Sequence, residues 1–532
     1  MLYSKVSSAC LYGIDGVMIE VEVDLASGIP QTTVVGLPDS AIREAVERVR
    51  SAIKNCGFTF PMQRITINLA PADIRKEGTA FDLAIAIGLL AASGQVQLPG
   101  LDRLLIIGEL ALDGALRPVP GVLAMVDLAR RNGFHAVLVP EGNVQEALLL
   151  EGMTIYGLQH LKQLLPESDL DHGKQEQASA ADSATWERLI RQPTRERDAS
   201  APAAEPSSIA EDYCDVLGQH HVKRALTIAA AGMHNLLLIG PPGTGKTMLI
   251  RRLPGILPAL SPEESLEVTK IYSAAGLLRQ HTGGLLTTRP FRSPHHTISA
   301  GGLIGGGGIP KPGEVSLAHR GVLFLDELPE FSRTALEVLR QPLEERRVTI
   351  SRSRAAFTFP AHFLLTISLN PCPCGFFGNE PPQQLCTCSP YRIAQYREKI
   401  SGPLLDRIDM HVEVPRPPKW QHDPEPRSSG EMRMEVEKAV SIQLERYAGS
   451  PYRRNGELSG AALRRTARIL PEAEQLLQAS FGALGLSMRA YDRIIKLSRT
   501  IADLEASSDI KSEHIAEAIQ YRCLDRRSPS AS

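Results

Sequence analysis

The sequence predicts an α/β protein that has two sheet-containing parts and a helical C-terminal part. In the N-terminal third, residues 17–24 and 64–70 alternate apolar and polar side chains, as half-buried strands do. In the middle, an apolar run at 236–239 leads directly into a glycine-rich loop that should open a helix. Toward the C-terminus, helical spacing of apolar residues replaces the strand patterns.

The composition is that of a water-soluble globular protein. The chain has 532 residues, of which 43% are hydrophobic and 22% are charged, and its net charge is -2. It contains no uncharged apolar stretch of about 18 residues, and its first residues lack the apolar run of a secretory signal. We therefore expect a cytoplasmic protein without a membrane partner. Any nucleic acid would be held by a local basic surface, because the overall charge is close to zero.

Changes in pattern along the chain predict four segments. Residues 1–168 form an α/β domain, in which a helix should start at Asp39 and bury apolar positions at helical spacing. Residues 169–210 are rich in Ala, Ser, Gln, Glu and Pro, so we expect a flexible linker, with a solvated helix over part of it as the alternative. Residues 211–415 form the second sheet-containing core, and residues 431–522 form a helical domain.

The loop GPPGTGKT has the pattern of a phosphate-binding P-loop in its required context of strand, loop and helix. Its glycines let backbone N–H groups curl around phosphates, and the following helix adds its positive N-terminal end. In such a loop Lys246 reaches the β- and γ-phosphates of ATP, and Thr247 binds Mg²⁺. The predicted ATP-binding residues of the loop are Gly240, Pro241, Pro242, Gly243, Thr244, Gly245, Lys246 and Thr247.

Two adjacent acids supply the second half of this site. Asp326 and Glu327 follow the apolar run 322–325, which predicts a buried strand that ends at the acids. Adjacent acids usually form a solvated face, but a preceding buried strand places them at the edge of a sheet. Asp326 is then expected to complete the Mg²⁺ shell, and Glu327 to act as the general base that polarises the attacking water.

These motifs resemble those of AAA+ ATPases, and more closely those of the magnesium-chelatase-like branch that includes the ComM/YifB family. The resemblance extends over nearly the whole chain. The segments that carry it are DVLGQHHVKRAL (215–226), FLLTISLNPCPCG (363–375), ISGPLLDRIDM (400–410) and LSMRAYDRIIKLSRTIADLE (486–505).

The resemblance implies further catalytic roles in a ring, commonly a homohexamer. Asn370 corresponds to the polar sensor that orients the attacking water. Arg407 corresponds to an arginine finger that acts on the nucleotide of the neighbouring subunit, and Arg489 to a second sensor in the helical lid. An arginine supplied in trans fits the chemistry, because it stabilises charge on the transferring phosphoryl group. The alternative for Arg407 is a salt bridge with Asp406 or Asp409.

The N-terminal domain resembles the proteolytic domain of Lon, most clearly over residues 108–140, where a hairpin, a helix and a strand are expected. Lon-type proteases need a serine nucleophile and a lysine base. Ala80 and Leu123 stand at these two positions, so acyl-enzyme chemistry is not expected. Thr79 lies beside the nucleophile position but has no base partner. The domain is better interpreted as a scaffold or docking collar.

Four cysteines crowd into residues 372–388. Cys372, Cys374, Cys386 and Cys388 form two C-x-C pairs, which could close a tetrahedral thiolate site for structural Zn²⁺. The spacing within each pair is tighter than the common C-x2-C. The alternative is a surface loop with reduced thiols.

A hairpin is predicted over residues 343–363, just before the sensor strand. Its tip places Arg352 and Arg354 in a turn, where long cationic side chains could bind DNA phosphates in a central pore. The alternative is a surface hairpin that packs on its neighbours.

Two functions are compatible with these features. The ComM/YifB resemblance implies an ATP-driven hexameric helicase that promotes branch migration while single-stranded DNA is integrated during natural transformation and homologous recombination. Its partners would be single-stranded and branched DNA. The alternative is a metal-chelatase-type or protein-remodelling ATPase. The Lon-like domain and the cysteine loop belong to the ComM/YifB pattern and favour the first function.

Overall fold

The computed structural model describes residues 2–37, 39–73, 76, 78–96, 100–165, 189–191, 211–278, 284–308, 310–352, 355–378, 385–416, 426–484, 486–522 and 524. The chain forms two compact units. The first comprises Met1–Ala204, Leu266–Leu286 and Gly308–Lys311, and the second comprises Glu205–Ser265, Thr287–Gly307 and Pro312–Ser532. Every helix in the described ranges is too short or too polar to span a lipid bilayer.

A mixed eight-stranded sheet forms the centre of the first unit. Its strands are β1 (Tyr3–Tyr12), β2 (Asp15–Ala26), β3 (Gln31–Val35), β4 (Arg64–Ala70), β5 (Leu104–Ile106), β8 (Ala136–Pro140), β9 (Thr154–Leu158) and β10 (Ile190–Arg191), and the separate hairpin strands are β6 (Glu109–Leu110) and β7 (Leu116–Arg117). The order across the sheet is β10-β9-β8-β5-β1-β2-β4-β3. The predicted strand at 64–70 is confirmed as β4, and the one at 17–24 lies within β2.

Four helices of the first unit are α1 (Ser40–Asn55), α2 (Asp82–Ala92), α3 (Val122–Arg131) and α4 (Val144–Ala147). The start of α1 is the predicted one, since Asp39 Oδ1 accepts a hydrogen bond of 2.8 Å from the Ile42 N–H. Helix α2 is buried along nearly its whole length, as its uninterrupted apolar sequence requires. The predicted hairpin, helix and strand of residues 108–140 are present as β6 and β7, α3 and β8.

Part of the predicted linker 169–210 is ordered in this sheet. Ile190 and Arg191 form β10, which pairs antiparallel with β9. The Arg191 guanidinium also forms an ion pair of 2.9 Å with Glu141. A two-residue strand has no periodicity to read from sequence, which is why the prediction did not include it. The rest of the predicted linker lies outside the described residues.

A parallel sheet forms the centre of the second unit. Its strands are β11 (Leu236–Ile239), β12 (Phe291–Arg292), β15 (Val322–Leu325), β18 (Leu364–Leu369) and β19 (Met410–Glu413), and the shorter or outlying strands are β13 (Gly305–Gly306), β14 (Lys311–Pro312), β16 (Arg347–Arg352) and β17 (Ala355–Pro360). The order in the sheet is β12-β15-β18-β11-β19, and each neighbouring pair runs parallel. All residues of β11, β15 and β18 are buried, as central strands of a parallel sheet must be.

The remaining helices are α5 (His220–Gly232), α6 (Lys246–Arg251), α7 (Pro262–Ala274), α8 (Ala300–Ile304), α9 (Glu314–Leu317), α10 (Arg333–Glu337), α11 (Arg340–Glu345), α12 (Pro390–Glu398), α13 (Gly402–Leu405), α14 (Ser429–Arg446), α15 (Gly460–Thr466), α16 (Pro471–Leu484), α17 (Met488–Leu504) and α18 (Ser512–Gln520). Helices α14 to α18 are the helical block predicted for residues 431–522. The first of them begins two residues earlier than predicted, where Ser428 and Glu431 form a capping box.

One hydrophobic core joins the parallel sheet to this helical block. It contains Leu236 and Leu238 of β11 together with Ile494 and Leu497 of α17. Beside this core, the buried Asp503 carboxylate pairs with Arg446 and Arg499 and accepts a 2.8 Å hydrogen bond from Asn455. These contacts fix the helical block to the sheet that carries the glycine-rich loop.

Residues Leu266–Leu286 belong to the first unit, although the sequence places them in the 211–415 core. Within the first unit, the Lys270 ammonium pairs with the buried Asp127 carboxylate. The Ser273 carbonyl accepts a 3.2 Å hydrogen bond from the Gly121 N–H. These long-range contacts have no counterpart in local sequence pattern, so the boundary predicted from composition does not show them.

Candidate nucleotide site

The glycine-rich loop leaves the carboxyl end of β11 and ends where α6 begins. Gly243 and Gly245 have φ angles of 78° and 84°, a region that L side chains enter at a cost. At Gly240, a Cβ would lie 2.3 Å from the carbonyl oxygen of Val414, so only glycine fits. The loop therefore has the backbone freedom needed to curve around an anion.

Lys246 is buried at the centre of this loop. Its Nζ donates hydrogen bonds to the carbonyl oxygens of Gly240 at 2.7 Å and Pro241 at 2.9 Å, and to Asn370 Oδ1 at 3.2 Å. Burial lowers the pKa of Lys246, and the Asp326 and Glu327 carboxylates partly offset that shift. The structure thus brings together the loop lysine and the predicted sensor from two neighbouring strands.

Thr247 and Asp326 meet directly, with 3.0 Å between the threonine hydroxyl and Asp326 Oδ2. The other carboxylate oxygen accepts hydrogen bonds from the Ser368 hydroxyl and from the Glu327 N–H, the latter at 3.1 Å. A hydroxyl beside a carboxylate is a hard oxygen pair that suits Mg²⁺. The arrangement could hold that ion next to the loop.

Ser368 is a site residue that the sequence analysis missed. It lies on β18 two positions before Asn370, which directly follows the strand, and alternate residues of an extended chain face the same side. That spacing could have placed the hydroxyl beside Asp326 from sequence alone. Tyr396 of α12 was also missed. Burial raises the pKa of Tyr396 to about 12, the Glu330 and Glu327 carboxylates add to this shift, and the backbone of Asn370 opposes it.

Glu327 has an unusual backbone for a glutamate. Its φ and ψ are 53° and 52°, in the left-handed region that non-glycine residues rarely adopt. Its side chain is exposed, whereas Leu325 before it and Leu328 after it are buried. Residues with such strained backbone angles occur mainly at functional sites, where the surrounding structure holds them in place. The turn presents the carboxylate to solvent beside the Thr247–Asp326 pair, where water can reach it.

The structure does not bring the two predicted arginines to the loop of the same chain. The Arg407 guanidinium forms an ion pair with Glu344, a partner that the sequence analysis did not consider. Arg489 pairs with Asp406 at 3.3 Å and is largely exposed. Among the contacts of the described residues, neither arginine is joined to the glycine-rich loop. Asp409, the other expected partner of Arg407, pairs instead with Arg493 at 3.3 Å.

The four clustered cysteines converge. The sulfur atoms of Cys372, Cys374, Cys386 and Cys388 all lie within 4.8 Å of one another. The Cys372 and Cys374 sulfurs are 3.3 Å apart, and the Cys374 and Cys386 sulfurs 3.6 Å apart. Tetrahedral ligands at Zn–S distances of about 2.3 Å would be about 3.8 Å apart. A hydrogen bond from the Phe376 N–H lowers the pKa of Cys374 to about 6, which favours the thiolate that a metal needs. Geometry and donor chemistry both fit zinc.

This cysteine cluster abuts the glycine-rich loop. Gly375 has a φ of 86°, and a Cβ added there would lie 2.6 Å from Pro242 Cδ. The backbone between the two C-x-C pairs therefore packs against one of the predicted ATP-binding residues. The cluster can act as a wall of the nucleotide site.

The predicted hairpin is present as β16 and β17, which pair antiparallel from Arg347 opposite Pro360 to Arg352 opposite Ala355. At its base, Arg346 donates a 3.2 Å hydrogen bond to the Glu457 carbonyl. Arg354 lies outside the described residues, and only the backbone of Arg352 is described.

The Lon-like positions contain no nucleophile and base pair. Leu123 is buried at the start of α3, and its N–H donates a 2.9 Å hydrogen bond to Glu146. The Ala80 carbonyl accepts a 2.9 Å hydrogen bond from Gly108. The Thr79 hydroxyl donates to the Glu109 carboxylate. A threonine held in this way is a hydrogen-bond donor to an acid, with no lysine in the position of a base.

Three family models match the chain: "Subunit ChlI of Mg-chelatase" over residues 21–143, "Magnesium chelatase, subunit ChlI" over 212–422, and the C-terminal part of the same subunit over 426–522. The chain is 42% identical to the YifB protein of Salmonella typhimurium over 530 residues, which cover 99% of this chain and 98% of that protein. It is 41% identical to the competence protein ComM of Haemophilus influenzae, with the same coverage. The chain belongs to the ComM/YifB family.

The ComM/YifB assignment confirms the resemblance inferred from the motifs. The family has magnesium-chelatase-like AAA+ domains, which implies an ATPase that uses ATP and Mg²⁺. Its likeness to Lon is partial: the chain is 25% identical to Lon protease 2 of Bacillus subtilis over 181 residues, 30% of this chain and 32% of that protein.

Proposed function

We propose that this ComM/YifB-family chain is an ATP-driven DNA helicase that promotes branch migration while single-stranded DNA is integrated in natural transformation and homologous recombination. The 41% identity to a protein named for competence supports the process. The observation that most directly supports an ATP-driven motor is that four residues lie together at one edge of the parallel sheet. They are Lys246, Thr247, Asp326 and Asn370. We place the protein in the cytoplasm, where recombining DNA is found.

In this proposal the loop Gly240–Thr247 holds the phosphates of ATP. Lys246 exchanges its contacts with loop carbonyls for contacts with the β- and γ-phosphates. Thr247 and Asp326 would hold Mg²⁺, which when bound neutralises charge on the phosphate oxygens. Glu327 takes the proton of the attacking water, and Asn370, bonded to Lys246, orients that water.

Hydrolysis requires a second subunit. Arg407 lies outside its own chain's loop, in an ion pair with Glu344, as a residue that serves a neighbouring nucleotide would. Glu344 neutralises Arg407 in the isolated chain, and the phosphates of the neighbour would replace it. A head-to-tail interface of this kind closes into a ring. We propose a homohexamer, with Arg407 as arginine finger and Arg489 as second sensor.

The β16–β17 hairpin is the proposed contact to DNA. Arg352 and Arg354 would bind backbone phosphates of single-stranded and branched DNA at the hairpin tip. Such contacts carry no base sequence information, as a motor that moves along any DNA requires.

Two further features are structural in this proposal. The Lon-like domain is a scaffold without peptidase activity, because Ala80 and Leu123 supply neither nucleophile nor base. Cys372, Cys374, Cys386 and Cys388 would hold one structural Zn²⁺, which when bound cross-links the two C-x-C pairs next to Pro242.

The alternative is a metal-chelatase-type or protein-remodelling ATPase, which the three magnesium-chelatase family models favour. The deciding experiment measures the ATPase rate without DNA and with single-stranded, duplex and branched DNA, with Lys246→Ala as the inactive control. Stimulation by DNA, greatest for branched DNA, supports the helicase. A wild-type protein that binds no DNA at low salt would reject the helicase in favour of the remodelling ATPase.

A further inference from the structure

A cavity with both charged and apolar lining lies in the unit that contains the nucleotide site, at the opposite edge of its sheet. It has a volume of about 200 Å³. Arg289, Arg320 and His362 line it, and each lies two residues before the first residue of β12, β15 or β18. The glycine-rich loop follows the carboxyl end of β11, which runs parallel to these strands. The cavity is therefore distinct from the nucleotide site.

The lining of this cavity carries excess positive charge. The charged residues that line it are Arg289, Arg320, Arg453, Arg454, Glu264 and Glu457. Burial keeps the pKa of His362 well below its usual value, so the histidine is neutral and the lining has a net charge of +2. Excess positive charge of this size in a partly enclosed space is unfavourable unless an anion is bound there.

The two carboxylates of the cavity are already shared. Glu264 pairs with Arg289 at 3.2 Å, with Arg320 at 3.6 Å and with Arg453 at 3.8 Å. Glu457 accepts hydrogen bonds from the backbone N–H groups of Arg453 at 2.6 Å and Arg454 at 3.3 Å. The other oxygen of Glu457 lies 3.5 Å from His362 Nε2 and 3.9 Å from an Arg346 nitrogen, so each carboxylate already contacts several groups.

Arg454 is the arginine of this cavity that has no carboxylate at ion-pair distance among the described residues. Its guanidinium is half-buried, and among the described residues no carboxylate lies within 4.0 Å of it. Its side chain makes one hydrogen bond within the described ranges, a long one of 3.4 Å from Nη1 to the Arg453 carbonyl. Burial and the neighbouring Arg289 lower the pKa of Arg454 to about 10, and the more distant Glu264 and Glu457 carboxylates offset only part of that shift. A guanidinium removed from water without an anionic partner is destabilising, so its position indicates a ligand.

We propose that this cavity is a second, non-catalytic anion site that binds the phosphoryl group of a phosphate-bearing ligand through Arg454 and Arg453. The planar donor fork of arginine matches tetrahedral phosphate oxygens. Met233, Leu257 and Leu444 form an apolar part of the wall, which suits a phosphate ester better than a bare ion. The phosphoryl group belongs to a free phosphate compound or to a nucleic acid backbone, and the two sources share this chemistry.

The test uses pyrophosphate as probe and the full-length Lys246→Ala protein, in which the glycine-rich loop no longer binds phosphates. We expect one pyrophosphate per chain by calorimetry. Adding Arg454→Gln should weaken binding roughly 10-fold to 100-fold, the range for one charged hydrogen bond. Arg465→Gln, which changes an exposed arginine of α15 outside the cavity, should leave the affinity unchanged.

A single-stranded oligonucleotide added to the bound complex distinguishes the sources. Displacement of pyrophosphate identifies a DNA backbone, and its retention identifies a free phosphate compound. Absence of binding to the Lys246→Ala protein would overturn the proposal, as would equal affinities with and without Arg454→Gln. If Arg454→Gln does not fold, a crystal of the Lys246→Ala protein soaked in tungstate decides: density beside Arg454 supports the site, and density absent there rejects it.

Discussion

The Thr247 hydroxyl lies 3.0 Å from the Asp326 carboxylate, and the two residues come from different segments 79 positions apart in sequence. Their meeting makes the glycine-rich loop and the acidic strand end one site. It also places Glu327, the next residue, where it can act on water at that site. Each chemical role in this site can be tested by one substitution.

Glu327→Gln should separate binding from hydrolysis. ATP should still bind, because the loop, Lys246 and Asp326 are unchanged, while the rate should fall about 10²-fold to 10⁴-fold with the loss of the general base. Glu337→Gln, at a partly exposed position of α10, is the matched control and should hydrolyse normally. Wild-type hydrolysis by Glu327→Gln, measured as phosphate release, would show that another group is the base.

Ser368→Ala should change the Mg²⁺ requirement rather than the maximal rate. The lost hydroxyl donates to Asp326, and partners that orient a metal ligand typically contribute about 10-fold or more to metal affinity. We expect a roughly 10-fold rise in the Mg²⁺ concentration for half-maximal ATPase activity. Ser441→Ala, on the exposed side of α14, should leave the Mg²⁺ curve in place. An unshifted curve for Ser368→Ala would mean that Ser368 does not position the metal ligand.

Arg352→Ala with Arg354→Ala should remove about two phosphate contacts per subunit and reduce the salt dependence of DNA binding accordingly. Basal ATP hydrolysis should survive, while DNA-stimulated hydrolysis and strand displacement should fall together. Arg407→Ala, assayed alongside, should abolish hydrolysis with and without DNA, because its proposed role is in the nucleotide site. Normal migration of branched DNA by the double variant would rule out the hairpin as the DNA contact.

Metal analysis should find about one Zn²⁺ per chain in protein purified without chelator. Cys388→Ser should lose that metal and lower the melting temperature, since one of four thiolate ligands is gone. Cys214→Ser, which changes a cysteine outside the cluster, should retain the bound Zn²⁺ and the wild-type melting temperature. Wild-type protein free of zinc would favour reduced thiols in a loop.

Buried histidines should make the second unit sensitive to acid. Burial lowers the pKa of His234 from 6.5 to about 4. Between these values the unfolded chain binds a proton that the folded chain does not, so stability falls as pH decreases through this window. One such histidine contributes at most about 1.4 kcal/mol per pH unit to this slope.

The measurement is the urea midpoint of wild-type protein and of His234→Gln from pH 7 to pH 5. The variant should show a smaller dependence on pH. His295→Gln, which changes an exposed histidine, should retain the wild-type slope. Parallel curves for wild type and His234→Gln would assign the acid sensitivity elsewhere.

Local pattern accounts for much of the fold. The Asp39 cap, strand β4 and the buried strand β15 are each set by a few adjacent residues, and each stands where the sequence predicts it. Strand β10 and the ion pair of Lys270 with Asp127 depend on partners that are distant in sequence. No local periodicity of apolar residues therefore predicts them.

The nucleotide site shows the same contrast between features set by local sequence and features set by distant partners. That Lys246, Thr247 and Asp326 lie together follows from motif spacing, and that Asn370 lies beside Lys246 follows from the family resemblance. Glu344 could not be predicted as the partner of Arg407, because the two residues are 63 positions apart and a surface ion pair has no sequence signature.

Strand β11 has β18 on one side and β19 on the other, with Ile239 aligned to both Leu369 and Glu413. The residue after β18 is Asn370, which senses the subunit's own nucleotide in our proposal, and β19 begins three residues after Arg407, which would reach the neighbour's. Both are therefore fixed to the strand that carries the phosphate loop. In a ring of such subunits, a displacement at one interface would travel through three hydrogen-bonded strands to the next. Hydrolysis events at neighbouring interfaces would then be coupled rather than independent.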